Sequence, residues 1–140
     1  MTSNKENFEL KMVSLNVRGL NESKKRRNIF RWLHRNDWDI MMMQETYSNA
    51  NIEQVWQNEW GGQILFSHGS NHSKGVMTLL RNNIKADIIK YKVDYKGRFI
   101  LLKITPHCTV MTFHFIGTVP VIDIKIVFPT NYSIIIACRE

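Results

Sequence analysis

This sequence predicts an α/β fold, and three observations carry that reading. An alternating apolar segment, an amphipathic helix and a second apolar segment follow one another between Phe8 and Glu45. The second apolar segment runs unbroken from Ile40 to Met43, as in a strand buried on both faces. Strand-like segments punctuated by Gly and Asn turns then occupy the remainder. With 140 residues, 44% of them apolar and 22% charged, the chain can fill one ordinary domain core but not two.

The first strand is expected over Phe8 to Val17. Val13, Leu15 and Val17 share one face, while Met12, Ser14 and Asn16 share the other. Arg18-Gly19-Leu20-Asn21 breaks the pattern, and Asn21 or Ser23 is placed to cap a helix. From Lys24 to His34, Ile29, Phe30, Trp32 and Leu33 gather on one side. Lys24, Arg27, Arg31 and Arg35 gather opposite them. Asp37 to Glu45 forms the next strand. Two strands joined through a helix should be parallel with a right-handed crossover, so Asn16 and Glu45 should meet at the same carboxyl edge. Open α/β sheets commonly place ligands there.

A second helix is expected over Asn51 to Trp60, with Ile52, Val55, Trp56 and Trp60 inward and Gly61-Gly62 ending it. Strands are expected over Gln63 to Ser67, Val76 to Leu80, Ile84 to Tyr91 and Arg98 to Ile104. The polar loop Gly69 to Gly75, the Asn82-Asn83 turn and the Asp94 to Gly97 turn separate them. Beyond Thr105 the chain is dense in Ile, Val and Phe, and only Asp123 and Lys125 carry charge before Cys138. Three further strands would explain that composition, and so would out-of-frame translation. The four tryptophans Trp32, Trp38, Trp56 and Trp60 lie among apolar neighbours and read as core.

A formal net charge of +7, from 19 Lys and Arg against 12 Asp and Glu, favours a polyanionic partner such as nucleic acid, a phosphorylated substrate or an anionic membrane surface. Cys108 and Cys138 have neither C-x-x-C spacing nor a neighbouring His cluster, and read as free thiols in a reducing compartment. The polar stretch Met1 to Lys11 offers no secretory core, and no run of 18 apolar residues is present. An intracellular protein with no membrane span and no obligate protein partner is the expectation, nuclear if it functions.

Glu45 emerges from a buried run at a strand's carboxyl end, where one carboxylate could anchor a hard cation such as Mg²⁺ alongside waters and phosphate oxygens. Asn16 beside it could orient a phosphate or a water without adding negative charge. A strand-end salt bridge and a turn-capping Asn explain the same pair without any chemistry. The stripe Lys24 to Arg35 could follow a phosphate backbone, or simply be a solvated helix face.

Four segments carry a resemblance that sharpens this. Ser14-Leu15-Asn16-Val17-Arg18-Gly19-Leu20 with the Lys24-Lys25-Arg26-Arg27 helix start, Gln44-Glu45-Thr46, Ser73 to Leu80, and Gly97-Arg98-Phe99-Ile100 resemble, in order, the opening motifs of the endonuclease/exonuclease/phosphatase (DNase-I-like) superfamily. They are most similar to the endonuclease domains of LINE-type retrotransposons, over about Glu9 to Ile104. The resemblance implies a four-layer α/β sandwich, truncated here at its C-terminal side, with residues 8–104 as its N-terminal part and 105–140 as a strand-rich tail outside the match. It implies hydrolysis of DNA phosphodiesters with Mg²⁺ or Mn²⁺. Glu45 would be the metal ligand and Asn16 the active-site amide near the scissile phosphate, both in the catalytic set and both at the metal. Arg18, Asn21, Ser73 and Lys74 would lie on loops that approach DNA.

The later family motifs Gly-Asp-x-Asn and Ser-Asp-His do not occur, and Phe128-Pro129-Thr130-Asn131 is a faint echo of a third. His107 and His114, in or beside strand-like segments, read as core or surface histidines; with Asp123 they are where a substitute for the missing groups would be sought. The resemblance therefore implies an endonuclease by ancestry that this chain alone does not complete. The rivals are a phosphatase of the same superfamily and a non-catalytic nucleic-acid-binding relic.

Overall fold

The two helices exist because each chain segment has one apolar side to hide, and that side decides the layering. The computed structural model describes residues 8–70, 73–84, 87–105, 111–116, 122–126 and 132–139. Strand β1 (Phe8–Asn16), helix α1 (Ser23–Arg35) and strand β2 (Ile40–Gln44) form the expected unit, with β1 and β2 parallel and Asn16 opposite Gln44. A 3-10 turn (Ala50–Ile52) leads into α2 (Glu53–Trp60), followed by β3 (Gln63–Ser67) and β4 (Val76–Leu80). Strands β5 (Asp87–Val93), β6 (Phe99–Thr105), β7 (Met111–Ile116), β8 (Ile122–Ile126) and β9 (Tyr132–Arg139) complete the order.

The strands make two sheets. The first has the order β3-β4-β2-β1-β9, with β1 parallel to both β2 and β9 and with β4 antiparallel to β2 and β3. The second, β5-β6-β7-β8, is antiparallel throughout. The sequence beyond Thr105 therefore contributes backbone to both sheets. Its last strand crosses back to pair along β1.

Alternation along β1 and β2 divides the interior. Val13, Val17, Met41 and Met43 pack with Phe30, Leu33, Trp56 and Trp60 of the helices. Met12, Ile40 and Met42 pack instead with Ile100, Leu102 and Ile104 of β6. Three layers result among the described residues: helices, first sheet, second sheet. Burying each of these large side chains contributes about 1.5–3 kcal/mol against leaving it in water.

Two details differ from the sequence expectation. Helix α1 is capped by Glu22, with no side-chain cap bond. Of the two residues expected to cap it, Ser23 is the first residue of the helix and Asn21 donates its side-chain amide to the Tyr47 carbonyl at 3.1 Å. Val55, expected inside, is 51% exposed, because Trp56 and Trp60 already fill the inward row of this two-turn helix. Gly61 ends α2 in the left-handed conformation, as expected, at φ +78°.

Candidate active site

Buried apolar strands ending at a common edge force their polar successors into solvent together, and here the edge is the carboxyl end of β1 and β2. Parallel pairing continues one step past the strands, with Val17 N–H donating to the Gln44 carbonyl at 3.1 Å. Gly19 N–H then donates to the Glu45 carbonyl at 2.6 Å, and Leu20 N–H to that of Thr46 at 3.1 Å. On its other side the Glu45 loop meets the Ser73–Gly75 loop. Thr46 N–H donates to the Gly75 carbonyl at 3.2 Å, and Tyr47 N–H to that of Lys74 at 3.0 Å. Asn16, Arg18, Asn21, Glu45, Ser73 and Lys74 are thus brought to one edge from three loops.

The backbone of these loops is unusual. Among the described residues, the non-glycine positions with positive φ are Arg18, Asp37, Glu45, Tyr47 and Lys74, and all but Asp37 lie in the loops at this edge. Left-handed backbone in an L-residue costs roughly 1–2 kcal/mol, and such strain tends to collect where side-chain direction matters. Gly75 shows how close the loops come. At φ +97°, an added Cβ would collide with the Thr46 hydroxyl.

Positive side chains at the start of α1 hold the first loop. Lys25 Nζ donates to the Val17 carbonyl at 2.6 Å and to that of Arg18 at 3.3 Å. Arg26 Nη1 donates to the Leu20 carbonyl at 2.8 Å and to that of Asn21 at 3.3 Å. The rest of the Arg26 guanidinium makes a two-pronged pair with Glu59 of α2, at 2.6 and 2.9 Å. That pair holds the Glu59 carboxyl below the usual carboxylate range, against the opposing pull of its partial burial. A second network, not anticipated from sequence, braces the Glu45 loop. Thr46 donates to Ser48 at 3.1 Å, Ser48 meets His68 Nδ1 at 2.9 Å, and His68 Nε2 meets Glu53 at 2.5 Å.

Against this bracing, Glu45 itself stands apart. Its half-buried carboxylate has no hydrogen-bond or salt-bridge partner among the described residues. Asn16 accepts Arg18 N–H through Oδ1 at 3.2 Å, which leaves its amide N–H groups available. An unpaired carboxylate beside a free amide suits a hard divalent cation, which takes few protein oxygens and fills its remaining positions with water and phosphate. Glu45 would be the protein ligand, and the bound cation would supply Lewis-acid charge stabilisation. No group of three or more His, Cys, Asp or Glu able to hold a metal is found among the described residues, so the donor set is this sparse one.

His107, His114 and Asp123 all lie beyond Thr105. His114 on β7 stands opposite Asp123 on β8, in the second sheet. His107 lies outside the described residues, as do Cys108 and the Phe128 to Asn131 segment. Arg26 was the residue most readable in advance, since it falls on the apolar side of the helix wheel. His68, a single polar residue at a strand end, carried no local signal.

A sequence profile of the Endonuclease/Exonuclease/phosphatase family matches residues 13–129. The chain is 24% identical over 95 residues to the Transposon TX1 uncharacterized 149 kDa protein of Xenopus laevis, covering 68% of this chain and 7% of that protein. It is also similar to the crystal structure of a functionally unknown conserved protein from Enterococcus faecalis V583. That likeness has a TM-score of 0.45 at 15% identity and covers 82% of this chain and 50% of the other. No helix among the described residues is long and apolar enough to cross a membrane.

Proposed function

The chain belongs to the endonuclease/exonuclease/phosphatase family, and from that premise we propose that it carries the metal- and phosphate-holding part of a DNA endonuclease site of retrotransposon type. The observation that carries the reading is the unpartnered Glu45 carboxylate, set on left-handed backbone at the carboxyl edge beside Asn16. Glu45 holds a Mg²⁺ or Mn²⁺ ion, and the Asn16 amide N–H groups orient a non-bridging phosphate oxygen. Arg18 and Lys74, both exposed, flank the substrate strand, with Asn21 and Ser73 at the same edge. The three described layers are part of a four-layer sandwich, with 8–104 as its N-terminal portion.

The Gly-Asp-x-Asn and Ser-Asp-His motifs, which the family resemblance makes the source of the proton-transfer and positioning groups, are absent from the sequence. Groups that act as a unit lose several orders of magnitude in rate when members are missing. The chain therefore binds metal and phosphodiester and turns over poorly or not at all. Mn²⁺ binding followed by electron paramagnetic resonance, with supercoiled-plasmid nicking in parallel, tests this on the wild type and Glu45→Ala. The expected outcome is metal binding lost in the variant and nicking near background in both. Nicking by the wild type that vanishes in Glu45→Ala would show a complete site and overturn the disabled reading. Metal binding unchanged by the substitution would overturn the site itself.

A further inference from the structure

Helix α1 begins at the candidate site and runs away from it, because Lys25 in its first turn reaches the Val17 and Arg18 carbonyls. Its outer face carries Lys24, Arg27, Arg31 and Arg35, all exposed. Residues four apart on a helix lie about 6 Å apart along its axis, so these charges form a row. Like charges at that spacing repel, and among the described residues Lys24, Arg27, Arg31 and Arg35 make no salt bridge. The carboxylate that lines the groove beside them, Glu59, is held by Arg26 in a two-pronged pair. Arg27, Arg31 and Arg35 also line, with Phe30, His34 and Glu59, an open groove of about 450 Å³ between the helices.

We infer that this groove and row form a binding surface for the phosphate backbone of a nucleic acid, continuous with the candidate site and holding the strand beyond the few nucleotides at Glu45. This inference rests on the proposed nuclease ancestry for its choice of polymer. An anionic membrane fits poorly, because a helix lying in a lipid interface needs a free apolar face. Here Phe30 and Leu33 are buried in the helix–sheet core, with Ile29 and Trp32 packed against it. A linear row of guanidinium groups suits a linear polyanion, since each can grip phosphate oxygens with two parallel bonds.

The test is fluorescence anisotropy of a labelled DNA duplex with the full chain, titrated with salt, for wild type, Glu45→Ala and the triple variant Arg27→Ala/Arg31→Ala/Arg35→Ala. Removing one phosphate-binding side chain should reduce the slope of log K against log salt by about 0.9, so the triple variant should lose about 2–3 in slope. Its binding at low salt should fall at least tenfold, and circular dichroism should be unchanged because the three side chains are exposed. Mn²⁺ binding should persist in the triple variant and be lost in Glu45→Ala, which separates failure of this surface from failure of the metal site. A wild-type slope in the triple variant would overturn the inference. So would unchanged DNA binding accompanied by loss of binding to phosphatidylserine vesicles.

Discussion

The two ends of the first sheet treat their charged residues in opposite ways. At the amino end of β2, Asp39 accepts the Lys11 N–H at 2.8 Å, and Arg81 sits 3.8 Å from Asp39 and 3.9 Å from Asp37. Carboxylates there are matched by cations and backbone donors. At the carboxyl end, Lys25 and one arm of Arg26 are directed to main-chain carbonyls, the rest of Arg26 pairs with Glu59, and Glu45 is left unmatched among the described residues. The backbone at that end is over-determined while its central carboxylate is free. The first sheet pairs its described carboxylates at one end and leaves Glu45 open at the other, where the proposed cation would finish the bonding.

The largest expected effect comes from Arg26, which secures the open end. Arg26→Ala removes the pair with Glu59 and leaves the Leu20 carbonyl without its donor, and should lower stability in urea by about 2–4 kcal/mol. The Glu59 part of that loss depends on pH. Its folded-state carboxyl titrates below its ordinary value of 4.5, so its contribution is present above that value and disappears as pH falls through the depressed one. The gap between wild type and Arg26→Ala should be constant near neutrality and narrow below about pH 4.5. A gap that stays flat into acid would place Arg26's value in the loop carbonyls and not in Glu59.

Gly75→Ala attacks the same end through the backbone. Alanine at φ +97° would be strained, and its methyl would drive into the Thr46 hydroxyl. A loss of about 1–3 kcal/mol is expected, with Mn²⁺ affinity falling because Thr46 adjoins Glu45. If stability falls and metal affinity does not, the loops are coupled less tightly than their hydrogen bonds imply.

How much of this was legible in the sequence divides along local and long-range lines. The parallel β1–α1–β2 unit, and with it the meeting of Asn16 and Glu45 at one edge, followed from periodicity within a short segment. So did the buried tryptophans Trp56 and Trp60 and the glycine that ends α2. The Arg26–Glu59 pair joins residues 33 apart and the Ser48–His68 bond residues 20 apart, and no periodicity encodes such partners. Val55 misled because a short helix can bury only one row, and the choice between Val55 and Trp56 is made by the neighbours. The Ile-rich stretch after Thr105 lacks the polar alternation that would assign faces. Strand identity and sheet membership there came only from pairing, with β9 returning to β1.

At the satisfied end, Asp39→Ala should cost about 1–2 kcal/mol. It removes one backbone hydrogen bond and a loose ion pair, and part of its effect is screened by water. Thermal or urea denaturation at neutral pH would measure it, and Mn²⁺ affinity should not change. A change in metal affinity would mean that the two ends communicate through β2 and are not independent.

The smallest effect on stability is the sharpest test of the contrast. Glu45→Asn removes a charge that no group among the described residues compensates and places at φ +53° a residue that tolerates left-handed backbone better than Glu does. If Glu45 contributes nothing to the fold, stability should hold or rise by a few tenths to about 1 kcal/mol, while Mn²⁺ binding is lost. The same exchange of a carboxylate for a neutral side chain thus destabilises at Asp39 and stabilises at Glu45. Both signs come from one urea titration series. A destabilised Glu45→Asn would mean that the carboxylate serves the fold, and the free charge at the carboxyl end would need a structural explanation in place of a functional one.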